Sequence, residues 1–236
     1  MMGLILVLCA CGSGAQAQGR KIPEDSSFYT KAHPIPAGKY VTDEFRPAMS
    51  LRLGKGWQTG PDPKDSYGHH LETSHNIFLS NHSGSGTSYL EFLVVPKVYK
   101  VVSSYEAKAE PAPADMVSWL QNNPNLKAEK PEPVRVGGMK GKQFDAIASH
   151  IPQGYTNGGY HSFDQIEPCL PLFQVIPAFP EESTYSIFKD YKVHFIVLDD
   201  VKGKTVTISV LTPAAKFDQV WHNAQKAIKT VKWTGT

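Results

Sequence analysis

The sequence predicts an α+β fold, a mostly antiparallel sheet covered by helices. Three observations carry this. Short alternating segments bounded by glycine and proline recur along the chain. Two of them, residues 89–95 and 193–198, are apolar on both faces, so something must cover both. A stripe of Phe217, Val220, Trp221, Ala224, Ile228 and Val231 closes the chain with helical spacing over four turns. Helices layered on a sheet satisfy all three.

The chain has 236 residues, 41% hydrophobic and 11% aromatic, with a net charge of +2. That is a folded globule with no concentrated basic excess, which argues against a nucleic-acid partner. The first segment, LILVLCACGSGAQAQG, carries Cys9 and Cys11 in a short apolar run. The run is too short to span a bilayer, which needs about 20 apolar residues. It has the length of a signal-peptide core. Leu8-Cys9-Ala10 before Cys11 resembles a bacterial lipobox, which implies diacylglycerol on Cys11 and cleavage before it. The competing reading is Ala15-Gln16-Ala17 as a small-x-small site, with secretion after cleavage before Gln18. No Lys or Arg precedes the run, and a start codon further upstream would supply that charge. Two acyl chains would anchor stably. The expected division is a signal peptide over 1–10, a flexible tether over 11–36 and one domain over 37–236.

Residues 21–36, with Pro23, Pro34 and Pro36, read as an extended lead-in. Strands are expected at 39–42, at 49–53 before Gly54 and Gly56, at 76–80, at 89–95 and at 97–102. Residues 114–122 form a short helix, because Met116, Trp119 and Leu120 fall at i, i+3, i+4; Asp115 lies in its first turn and Pro124 ends it. Val134-Arg135-Val136, the turn Gly137-Gly138 and a strand over 140–149 follow. Residues 151–170 form a long loop. Short strands are expected at 172–176 and 185–188. Residues 192–198 pair with 205–211 across a turn containing Gly203. Thr212 is the expected N-cap of the last helix and Pro213 its first residue. Lys226, Lys229 and Lys232 suit the negative pole of its dipole.

Several pieces resemble a loosely defined set of exported bacterial proteins, many of them lipoproteins, with a PsbP-like fold. They are Ala37-Gly38-Lys39-Tyr40, the run from Phe45 to Leu51, Gly56-Trp57, Trp119-Leu120-Gln121-Asn122-Asn123-Pro124, the run from Val134 to Gly141, Val206-Thr207-Ile208-Ser209, Phe217-Asp218 and Thr230-Val231-Lys232-Trp233. The resemblance implies αβα layers and non-enzymatic accessory or binding roles at the membrane. It supplies no shared catalytic motif and no cofactor.

Candidate chemistry is sparse. His69, His70, His75 and His82 lie within fourteen residues. If residues 72–74 form a tight turn, His69 and His75 become diagonal neighbours about 7–8 Å apart. His70 and His82 then point away, so the segment gives two metal ligands at most, with Glu72 as a loose third. A structural zinc site needs four and a catalytic one three plus water. An envelope metal-binding protein using His69 and His75 is one alternative, against exposed loop histidines. A secreted hydrolase-like enzyme is another, but Asn81-His82-Ser83-Gly84-Ser85-Gly86 lacks the nucleophile elbow, and no phosphate-binding loop appears. Asp199 and Asp200 sit at a charged hairpin turn. The loop from Gly154 to Asp164 brings together Tyr155, Tyr160, His161 and Phe163. Aromatic faces and a histidine there suit a sugar, a peptide or a partner surface, against a loop packed on its own rings. Cys169, the remaining cysteine, is either a buried small apolar residue or a reactive thiol. The overall expectation is a lipid-anchored extracytoplasmic binding or accessory module that is not an enzyme, with the membrane and an unidentified protein or small ligand as partners.

Overall fold

The computed structural model describes residues 19–22, 33–59, 74–81, 88–103, 106–152, 168–174 and 184–234. Strands dominate these residues. The first five are β1 (Arg20–Lys21), β2 (His33–Pro34), β3 (Gly38–Val41), β4 (Met49–Leu53) and β5 (Gln58–Thr59). Then come β6 (Asn76–Asn81), β7 (Ser88–Leu93), β8 (Lys97–Val101) and β9 (Ala107–Pro111), followed by α1 (Met116–Gln121). After it run β10 (Leu126–Ala128), β11 (Glu132–Val136), β12 (Met139–Ala148), β13 (Cys169–Gln174), β14 (Thr184–Phe188), β15 (Tyr191–Val201) and β16 (Lys204–Pro213). A 3-10 turn at Ala214–Lys216, α2 (Phe217–Ile228) and β17 (Lys232–Trp233) complete the described chain.

The strands form three sheets. The central one runs β10-β12-β15-β16-β7-β6-β5-β2, with β11 also paired to β12. A second holds β1-β3-β4-β17 and a third β14-β13-β8-β9. All described pairs are antiparallel except β1 with β3.

This overturns the expected α+β fold of a sheet covered by helices in PsbP-like αβα layers. α1 has six residues and α2 twelve. What covers the central sheet is largely more sheet. On one face Leu79, Leu90, Phe92, Ile196, Ile208 and Val210 pack with the second sheet, Trp57 and α2. On the other, Leu93, Val193, Phe195, Val197 and Leu211 pack with the third sheet and α1. The strands that are apolar on both faces are thus buried between layers, as their pattern requires.

Local expectations about strands hold better. The β15–β16 hairpin turns through Lys202 and Gly203, with φ of 56° and 79°. Both central residues are left-handed, as a tight two-residue hairpin turn needs. Asp200 Oδ1 accepts from the Gly203 N–H at 2.9 Å. The β11–β12 turn uses Gly137 and Gly138, φ 56° and 87°. A Cβ on Gly137 would lie 2.7 Å from Trp233 Cδ1 and 3.0 Å from the Val231 carbonyl. Trp233 Nε1 donates to the Val136 carbonyl at 3.0 Å. The end of the chain is thereby seated on the glycine turn, while β17 pairs with β4 through Lys232 opposite Ser50 and Trp233 opposite Met49.

Two helix starts differ from expectation. Asp115 is the N-cap of α1 rather than a first-turn residue, and its carboxylate accepts from Ser118 N at 2.8 Å. Thr212 does not cap α2. It stays in β16, opposite Lys192, and its hydroxyl bonds that of Ser88 at 2.7 Å. Pro213 ends that strand, and α2 begins at Phe217 after the 3-10 turn. A cross-strand partner for the Thr212 hydroxyl has displaced its use as a cap. Most of the stripe holds: Phe217, Val220, Ala224 and Ile228 are buried on α2 and Trp221 is partly buried, but the helix ends at Ile228, so Val231 lies beyond it.

β1 pairs with β3, β2 with β5, and Ile22 and Ile35 are buried in the core. Cys169 is buried in β13.

Candidate functional site

Most site residues singled out in the sequence lie outside the described residues: Cys9, Cys11, His69, His70, Glu72, His82, Tyr155, Tyr160, His161 and Phe163. His75 is described. It is exposed just ahead of β6, with Nδ1 2.8 Å from Ser74 Oγ. Among the described residues no group of three His, Cys, Asp or Glu is placed to hold a metal ion. No helix among them is long and apolar enough to cross a membrane.

The structure instead brings together two polar groups that no motif announces. The first is built on the face of the central sheet toward the third sheet. Residues directly opposite in antiparallel strands share a face. Phe78, Glu91, Ser209, Phe195 and Phe144 therefore form one row across β6, β7, β16, β15 and β12. Thr207, two residues before Ser209, lies on the same face. The row is aromatic at both ends and polar in the middle. Glu91 is 4% exposed, and Thr207 and Ser209 are buried. Tyr185 comes against Glu91 and Ser209 from β14. Its ring stacks on Phe173 at 5.2 Å and lies 6.4 Å from that of Phe195, while Phe173 and Phe195 are 6.2 Å apart.

The hydrogen bonding of this knot is incomplete. Among the described residues, Tyr185 Oη, Ser209 Oγ and Thr207 Oγ1 are buried with no partner. Native structures keep few such groups, and each leaves about 1–3 kcal/mol of desolvation uncompensated. Burial pushes the Glu91 carboxyl up to about 8. At neutral pH it is an uncharged acid that can donate. The Tyr185 phenol is pushed well up by burial first and by the Glu91 charge second. The Ser209 hydroxyl pulls it the other way without reaching hydrogen-bond geometry. Gln174 Oε1 is likewise buried without a partner among the described residues. It is opposite Thr184, one residue out of step with the Phe173–Tyr185 pair, so it does not share their face.

The second group lies on the opposite face of the central sheet. Asp145 on β12 is directly opposite His194 on β15. Its Oδ1 is 2.6 Å from His194 Nδ1, and its Oδ2 2.5 Å from Lys192 Nζ. Burial raises the Asp145 carboxyl, but hydrogen bonds from His194 and Lys192 and their charges outweigh it, holding the carboxyl below its ordinary value. The His194 ring lies 3.8 Å from that of Trp221 in α2, and Lys192 sits 4.2 Å over Phe217. His194 Nε2 is buried with no partner among the described residues. The triad ties β12 and β15 to the underside of α2.

Sequence reasoning passed over both groups, though a signal existed. Glu91 is a lone acid between Leu90 and Phe92, and His194 a lone histidine between Val193 and Phe195. Each interrupts an apolar run within its strand.

No family model matches the chain, and no curated protein does. Among solved structures it is similar to LpqN, described as involved in cell envelope biogenesis of Mycobacterium tuberculosis. The identity is 11% over 87% of this chain and 91% of that one, with a TM-score of 0.35. A likeness of that degree says nothing of activity.

Proposed function

We propose that the chain is a membrane-anchored, extracytoplasmic binding or accessory module with no catalytic chemistry of its own. Export and anchoring rest on the sequence alone: the short apolar run and the lipobox-like Leu8-Cys9-Ala10 before Cys11. The observation that carries the binding half is the knot of Glu91, Thr207, Ser209 and Tyr185, set in an aromatic interlayer with three buried hydroxyl oxygens lacking partners among the described residues. Near neutral pH all four groups are uncharged, and each can donate or accept. Such a set suits a small ligand that offers an uncharged hydrogen-bonding group. The Asp145–His194 pair supports an enzyme less well. An imidazole acting as a base needs Nε2 within reach of a nucleophile, and here Nε2 is buried beside Trp221 with no bonded group among the described residues.

Crosslinking in the native envelope followed by mass spectrometry tests the reading. The wild-type chain should capture one discrete small species, and the double variant Glu91→Leu, Tyr185→Phe should lose it while still melting cooperatively. Equal capture by both chains overturns the placement of the ligand at the knot.

A further inference from the structure

The third sheet meets the central one by side-chain packing, and the two belong to separate hydrogen-bonded ladders. Two short segments link them directly. Val94-Val95-Pro96 joins β7 to β8, and Lys189-Asp190 joins β14 to β15, with Asp190 at φ 64°. The interlayer is mostly apolar, yet its middle holds the knot. There the packed arrangement leaves Tyr185 Oη, Ser209 Oγ and Thr207 Oγ1 without partners among the described residues, whereas water would satisfy all three on separation. The contact between these sheets is therefore least satisfied around Glu91, and the third sheet, which no ladder among the described strands ties to the central one, is a unit that can open separately.

We propose that the third sheet is a detachable cover over the central sheet, and that the charge on Glu91 decides whether the cover stays closed. Facing Glu91 are Phe78 from β6, Ser209 from β16 and Tyr185 from β14. Tyr185 is the one titratable group set against it among the described residues, and no cation among them is paired with its carboxylate. Ionised Glu91 thus has no cation among the described residues to compensate it in the closed form and water to compensate it in the open one. The closed form keeps the proton up to about pH 8, against an ordinary value of 4.5. Between those limits the closed form binds more protons, so each unit of rising pH shifts the balance tenfold toward opening. Below the window and above it the balance is flat.

Opening is what ligand entry would require, so the device rests on reading the knot as a binding site. The test needs no ligand, which keeps a failure of opening distinct from a failure of capture. Amide hydrogen exchange is followed on the full chain at pH 5.5, 6.5 and 7.5, corrected for intrinsic rates. Once detached, the third sheet has no apolar layer to hold its ladder together, so protection in β8, β13 and β14 should fall about tenfold per pH unit, while that in β15 and β16 holds. Glu91→Gln should flatten the slope. Tyr185→Phe, which deletes one hydroxyl, should raise protection and keep the slope. Protection falling together in both sheets, or a slope undiminished in Glu91→Gln, overturns the proposal. Should Glu91→Gln not fold, the contrast between the sheets in the wild type decides alone.

Discussion

Replacing Asp145 by alanine removes the centre of the Asp145–His194–Lys192 triad. Oδ1 and Oδ2 are each committed, at 2.6 Å to His194 and 2.5 Å to Lys192. The side chains are 18%, 9% and 27% exposed, in the order Asp145, His194, Lys192. Breaking a fully buried pair costs about 3–5 kcal/mol, and breaking an exposed one about 0–1. Partial exposure places this site between, at about 2–3 kcal/mol. For a chain of this size that lowers the melting midpoint by about 5–10 °C. The pH dependence follows from the lowered carboxyl. A group whose folded value is depressed adds stability above its unfolded value and loses it as pH falls through the folded one. The ordinary value is 3.8, so the gap between wild type and Asp145→Ala should be full at pH 7 and shrink below about pH 4. Circular-dichroism melts at pH 7 and pH 3 measure it. A gap under about 2 °C at pH 7, or one that is the same at both pH values, would refute the reasoning.

Two further outcomes are expected. Gly137→Ala should cost more than about 2 kcal/mol in urea unfolding, because its Cβ strikes Trp233 as well as a left-handed backbone; Gly138→Ala, with nothing within 4 Å, should cost only the backbone part. Equal losses at the two positions would remove Trp233 from the account. Cys11→Ser should move the protein from the membrane to the soluble fraction, whereas Cys9→Ser should not; an unmodified chain starting at Gln18 in intact-mass measurement would replace anchoring by secretion.

The strands were legible because alternation and punctuation are local. Met49–Leu53 was readable to the residue, and the β15–β16 hairpin followed from Val206, Ile208 and Val210 alternating with polar neighbours up to a Gly203 turn. The apolar stripe of α2 was equally plain, but its start was not. Thr212 and Pro213 are good opening residues for a helix and serviceable closing residues for a strand, and the Ser88 hydroxyl on β7, 124 residues away in sequence, settles which. The candidate sites were harder still. Glu91 and His194 are polar residues set in apolar runs, and what each does depends on the residue opposite it, which register sets.

The sequence by itself determined where most of the longer strands run, which side chains share a face, and that two strands have no face left for water; the short strands β1, β2, β5, β10 and β17, and β9, it did not mark. It also determined the short apolar run with its cysteines. Only the tertiary structure decided what covers those strands: largely a further sheet on each side, with one short helix added to each. It decided too that Glu91, Ser209 and Tyr185 meet in a buried interlayer while Asp145, Lys192 and His194 meet beneath α2. The physical reason is that an apolar face states a demand for burial without naming its partner, and the partner is chosen by packing among segments far apart in the chain.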